Sequence, residues 1–249
     1  MVAPDTLLAC FDEAAAAVRA AVTRIAPDDR RARTDVAGQY ALDLVADEVA
    51  LAVIAKLPVR IVSEESGVHD RAGASITVVI DPVDGSTNCA RDISYWATSI
   101  CALDGDGALA AVVVNQASGT RTAAVRGAGT DRDGRRVVAS TVRRVEESVI
   151  ALTGRPERPL PAKQFRALGC AALTLCEVAA GGLDGSVDSG AHHAPWDYLG
   201  GYLACIEAGA VVVDANGADL VTAEPDARRQ VIAAATEELA QALMPARST

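Results

Sequence analysis

The sequence predicts a layered protein of mixed α+β and α/β character, and three observations carry that expectation. The first half sets two helical stretches ahead of strands joined by tight turns. The second half alternates strand with helix. Half of the 249 residues are apolar, enough to bury a substantial core. With roughly 100–200 residues expected per domain, the chain reads as one unit of two sub-lobes, residues 1–136 and 137–249.

Leu8, Phe11, Ala15, Val18, Val22 and Ile25 recur at spacings of three and four, which predicts a first helix over Thr6–Ile25 that Asp5 can cap. A polar, Arg-rich connection follows, and a second helix runs from about Tyr40 to Lys56, ended by Pro58. Ile61–Ser63 is a short strand. Ile76–Ile80 is a buried β-branched run expected to stop at Asp81-Pro82, because proline lacks the N–H a central strand needs. Trp96–Leu103, Ala108–Asn115 and Thr120–Arg126 form a meander, joined by Asp104-Gly105-Asp106-Gly107 and Ala117-Ser118-Gly119. Thr130–Arg136 is polar and turn-rich and marks the passage to the second half. There, strands are expected at Val149–Thr153, Leu183–Val187, Val211–Val213 and Val231–Ala235. Helices are expected at Phe165–Ala180, Asp197–Ala208 and Glu237–Met244.

Composition excludes several classes. Acidic residues outnumber basic ones 33 to 23, the formal net charge is −10 and only eight side chains are aromatic, so a nucleic-acid partner is not expected. No apolar run approaches the roughly 20 residues that span a bilayer. The N-terminus has no basic region ahead of an apolar one, so the expected location is the cytoplasm. Six dispersed cysteines without a Cys-x-x-Cys pair read as reduced, buried residues. Only Lys56 and Lys163 are lysines and no P-loop pattern occurs, nor is there a Gly-x-Gly-x-x-Gly of the dinucleotide-binding type.

The chemistry concentrates in Asp81-Pro82-Val83-Asp84-Gly85-Ser86-Thr87-Asn88. Two carboxylates three residues apart at a strand end, with proline between them and glycine after, can converge on one point. Hard oxygen ligands at one point suit Mg²⁺ completed by water and a substrate phosphate. The amides of Gly85, Ser86 and Thr87 can then cradle an anion. Ser63-Glu64-Glu65-Ser66 places two more carboxylates at a strand end, one a candidate ligand and the other solvated. Pro195-Trp196-Asp197 starts a helix where Asp197 is either a cap or a ligand.

Together with Val45-Ala46-Asp47, Gly169-Cys170-Ala171-Ala172-Leu173 and Glu207-Ala208-Gly209, these motifs resemble, in order and over nearly the whole chain, the inositol monophosphatase family of Mg²⁺-dependent, lithium-sensitive phosphomonoesterases. The resemblance implies an αβαβα layered sandwich of the inositol monophosphatase and fructose-1,6-bisphosphatase type, often a homodimer, acting on a small phosphorylated metabolite. It implies two to three Mg²⁺ ions: one on Glu64, Asp81 and the Val83 carbonyl, a second on Asp81, Asp84 and Asp197, and a weaker third on Glu64 and water. It pairs the Ser86 hydroxyl with Asp47 while Glu64 orients the attacking water, and it sets Asp84, Gly85, Ser86, Thr87, Ala171 and Asp188 against the substrate.

The chain departs from the family pattern in places. Val36 stands where many members have lysine, and Leu199 where a small residue is usual. The stretch Asp188–Pro195, which carries His192 and His193, is about two residues longer than the inositol-specific pattern. Inositol monophosphate is the leading substrate, with histidinol phosphate, fructose bisphosphate and 3′-phosphoadenosine 5′-phosphate as alternatives. A non-catalytic, metal-binding regulatory homologue is the rival class.

Overall fold

The structure, a computed structural model, describes residues 2–156 and 159–244. Helices α1 (Pro4–Arg24) and α2 (Ala41–Ile54) lead the chain. Strands β1 (Arg60–Ser63), β2 (Gly67–His69) and β3 (Thr77–Asp84) follow, then the short helix α3 (Ser86–Ala90). The meander comprises β4 (Ala97–Asp104), β5 (Gly107–Asn115), β6 (Arg121–Val125), β7 (Gly129–Arg132) and β8 (Arg135–Arg136). The second half holds β9 (Val149–Thr153), β10 (Gln164–Arg166), α4 (Ala171–Ala179), β11 (Gly185–Asp188), α5 (Pro195–Glu207), β12 (Val211–Asp214), β13 (Val231–Ala234) and α6 (Glu237–Leu243).

Two sheets organise these elements. The first has the order β2-β1-β3-β4-β5-β6-β7-β8, antiparallel except where β1 runs parallel to β3; the second has the order β10-β9-β11-β13-β12. In the central strands of the first sheet successive residues point to opposite faces, and both faces are covered. Val78 and Ile80 join the core beneath α1 and α2, while Val79 joins the core beneath α4 and α5. The second sheet lies beyond α4 and buries its other face with α6, in a core that includes Ile150, Ile232 and Leu239. The layers therefore run helix, sheet, helix, sheet, helix, as expected.

Helix α5 is the shared wall between the halves. A Cβ at Gly200 would lie 2.6 Å from Ser99 Oγ of β4, and one at Gly201 would lie 2.4 Å from Leu175 Cβ of α4. Only hydrogen at these positions lets α5 approach the first sheet and α4 together.

Local differences from the expected elements have physical causes. Pro4 occupies the first turn of α1, so Asp5 lies inside the helix near its positive end and Ala3 is the cap. Strand β3 continues through Pro82 to Asp84 because a bulge carries it: Asp81 pairs with Ser99 and Asp84 with Ala97, leaving one extra residue where no ladder donor is needed. Thr130–Arg136 is absorbed into β7 and β8, whose turn uses Asp133 and Gly134 at φ 51° and 75°. Phe165 opens no helix; it lies in β10, parallel to β9, and α4 begins only after Gly169 at φ 76°.

Candidate active site

Parallel pairing of β1 with β3 sets Ser63 level with Ile80, so the next residues, Glu64 and Asp81, emerge side by side at the ends of adjacent strands. The Glu64 N–H donates to the Ile80 carbonyl at 3.2 Å and fixes that register one residue further. From the other half, α5 delivers Asp197 in its first turn, where Oδ2 accepts the Ala194 N–H at 2.6 Å. Asp197 thus holds the start of its own helix and faces the strand ends. One carboxylate oxygen from each of Glu64, Asp81 and Asp197 lies within 4.8 Å of the others.

The electrostatics are those of a crowded anionic site. Burial and then the neighbouring carboxylates Glu64, Asp84 and Asp197 push Asp81 well above the usual carboxylate range. Glu64 is exposed as a whole residue, yet its carboxyl end sits in the crowd; burial there, followed by Asp197, raises it to about 8. Burial and Asp84 raise Asp197 to about 7. Three oxygens of a hard, anionic donor set held this close repel one another unless protonated or bridged by a divalent cation, so the residues fit such an ion.

Asp84 sits beside this group but its carboxylate is already engaged. It accepts from Cys170 Sγ (3.0 Å) and from the first amides of α4, Ala171 (3.2 Å) and Ala172 (2.6 Å). Burial raises its pKa, while those three donors hold it back. Ala171, expected against the substrate, thereby meets Asp84. Val83 rides on the bulge and gives its N–H to Asp81 Oδ1 at 2.9 Å; the three-oxygen cluster itself consists of carboxylates.

The turn after Asp84 is built for a close approach. Gly85 has φ 85°, and a Cβ there would sit 3.0 Å from the Gly169 carbonyl and 3.2 Å from the Tyr95 carbonyl. Asn88 locks the same junction by donating to the carbonyls of Tyr95 (2.7 Å) and Leu168 (2.8 Å). Ser86 is half-buried and Thr87 exposed at the start of α3, where the first amides of a helix have no partner within it.

Three expectations are corrected. Asp47 is buried, but its carboxylate is held by the hydroxyl of Ser63, and among the described residues no hydrogen bond joins it to Ser86. Ser63 is fully buried at the end of β1, and its hydroxyl donates to Asp47 of α2. Asp188, expected against the substrate, is fully buried at the end of β11 and engaged by its own loop. It accepts from the Gly190 N–H (3.2 Å), the His192 N–H (3.0 Å) and His192 Nδ1 (2.6 Å), tying down the longer loop. Glu65, expected to be solvated, is half-buried and accepts from Gln39.

The residue reading missed Ser63, Tyr40, whose phenol donates to Thr87 Oγ1 at 3.3 Å, and Cys170 as a partner of Asp84. A signal for Ser63 was available: its alternation with Glu64 along the strand turns it inward.

Five layers with carboxylates from both halves meeting at two parallel strand ends define a class of layered α+β protein with an acidic, cation-competent site. The chain belongs to the inositol monophosphatase family, whose model matches residues 4–249. It is 32% identical over 209 residues to a fructose-1,6-bisphosphatase of Pyrococcus furiosus, covering 82% of this chain and 81% of that protein. It is 33% identical over 208 residues to Nus factor SuhB of Salmonella typhimurium, covering 74% of this chain and 76% of the relative. Among solved structures, a hypothetical protein of Pyrococcus horikoshii with similarities to inositol-1 monophosphatase superposes with a TM-score of 0.88 at 25% identity, covering 97% of this chain and 98% of that one. Among the described residues, no helix is long and apolar enough to cross a membrane.

Proposed function

We propose that the protein hydrolyses small phosphate monoesters with the help of Mg²⁺, two to three ions being held by Glu64, Asp81 and Asp197 together with Asp84. The convergence of the first three within 4.8 Å carries the reading, and the family relationship supports it. When bound, such ions lower the pKa of a water from about 15.7 toward neutrality and offset the charge of the transferring phosphoryl group.

The chain's own groups do the rest. Gly85, Ser86 and Thr87 present the turn on which phosphate oxygens rest, and Asn88 keeps that turn against the second half. Glu64, at the open side of the cluster, and the Ser86 hydroxyl position the attacking water. Asp47 acts through Ser63, holding the strand that carries Glu64. Substrate choice is less specified: Asp188, the residue that pointed to inositol hydroxyls, is buried, so inositol monophosphate stands beside fructose bisphosphate, histidinol phosphate and 3′-phosphoadenosine 5′-phosphate as candidates. A homodimer and inhibition by lithium belong to the same proposal.

Phosphate release from these four esters, with and without Mg²⁺, is the test. Expected are Mg²⁺-dependent turnover of at least one ester and a loss of at least about 10²-fold in Asp81→Asn. Absence of release from any of them, or an unimpaired Asp81→Asn, would overturn the reading.

A further inference from the structure

We propose that Arg228 sets substrate preference at this site by taking up a second negative charge carried on the alcohol portion of the phosphate ester, an inference that rests on the phosphatase reading above. Residues 222–230 run from the β12 side back into β13, and their path is pinned to the loop that leads into α5. His193 donates its N–H to the Arg229 carbonyl at 3.3 Å, and the Arg229 N–H donates to the His193 carbonyl at 2.8 Å.

In that antiparallel bridge Arg228 falls opposite Ala194, the residue whose N–H is held by Asp197 Oδ2. The loop side of the bridge is itself fixed, because fully buried Asp188 binds Gly190 and His192 within it. Arg228 is thus set by backbone geometry beside Ala194 and the first turn of α5, which carries Asp197.

Its guanidinium carbon sits 5.7 Å from the centre of the Trp196 ring, one residue before Asp197. Nη1 donates to the carbonyls of Pro225 (2.9 Å) and Ala227 (2.8 Å), and no carboxylate lies within 4.0 Å of it among the described residues. Arg121, Arg126 and Arg132 pair with acids in this chain of net charge −10, whereas Arg228, like Arg33 over the Tyr40 ring, is oriented by an aromatic face and backbone carbonyls. Nε and Nη2 make no hydrogen bond among the described residues and present the edge that matches a carboxylate or phosphate two-pronged. A neutral polyol has no group that needs this edge; an alcohol bearing its own phosphate or carboxylate does.

The test compares two esters that share the reacting phosphate, fructose 1,6-bisphosphate and fructose 1-phosphate, using the full chain with Mg²⁺. The expected result is a higher kcat/KM for the bisphosphate. Arg228→Gln should lower the ratio of the two kcat/KM values by about tenfold or more, chiefly through KM. Arg228→Lys, which keeps the charge, should recover part of that ratio, showing that the loss is not one of folding. Equal kcat/KM for the two esters, or a ratio that Arg228→Gln leaves unchanged, overturns the role of Arg228 while leaving the phosphatase reading intact. No release from the two fructose esters while another ester of the panel is hydrolysed overturns the role of Arg228 alone; no release from any of them overturns both.

Discussion

Asp47 and Ser63 show how one hydroxyl satisfies a buried carboxylate. Both residues are buried, and the Ser63 hydroxyl is the Asp47 carboxylate's hydrogen-bond partner among the described residues. Ser63→Ala removes a donor without filling its space, leaving a buried carboxylate unsatisfied, and should destabilise the fold by about 1–3 kcal/mol. Ser86→Ala, which touches no such partner, should change stability by less than about 0.5 kcal/mol. Urea unfolding of the two variants checks this, and equal losses would restore Ser86 as the partner of Asp47. The ligands Asp81 and Asp84 were legible because their meaning is local: residue type, proline and glycine within a few positions. Strand alternation turns Ser63 inward, but neither its partner nor that of Asp188 was legible, because these lie on other elements: Asp47 on α2 for one, a loop folded back over the strand end for the other.

At the scale of elements, α5 makes the strongest demand. Its two adjacent glycines face opposite neighbours, β4 and α4, with no room for a methyl group on either side. Gly201→Ala should force α4 and α5 apart and destabilise the protein by about 1–3 kcal/mol. The same shift moves Asp197, so Mg²⁺ affinity should fall as well. Calorimetric titration beside thermal unfolding checks the pair of effects, and a destabilised variant with unaltered Mg²⁺ affinity would separate the packing of α5 from the placement of Asp197.

Helices and central strands were readable from period and β-branching, because each carries its own pattern. The misread elements fail for reasons outside their own residues. Pro82 stays in a strand because Thr98 donates to its carbonyl at 2.8 Å and the bulge absorbs its missing donor. Phe165 joins a strand because β9 offers it an edge.

For the whole molecule, the excess of acid is unevenly distributed, and the part gathered between the halves couples folding to pH. In the unfolded chain Glu64, Asp81 and Asp197 titrate near the ordinary value of about 4. In the folded, cation-free chain Asp197 and Glu64 rise to about 7 and about 8, and burial with the neighbouring carboxylates also pushes Asp81 well above the usual carboxylate range. Protons therefore bind the folded state more tightly. The stability this contributes is complete below about pH 4 and is lost as pH climbs through 7 and 8. With chelator present, Tm should fall between pH 5 and pH 8. Millimolar Mg²⁺ binds the deprotonated folded cluster, so it should raise Tm by about several degrees at pH 8 and by little at pH 5. Scanning calorimetry at both pH values decides; a Tm indifferent to Mg²⁺ at pH 8 contradicts the cluster as a cation site.

The strand order of the second sheet bears on how this protein comes into being. Strand β13, made of residues 231–234, lies between β11 and β12, which are synthesised before it. A chain emerging from the ribosome holds Glu64, Asp81 and Asp197 well before it holds Val231, yet β11 and β12 then lack the strand that joins them. The loop from β11 into α5 is likewise missing the Arg229 backbone that pins it. The framework around the site is therefore complete only once residues 229–234, which follow every one of its carboxylates in the sequence, have been made.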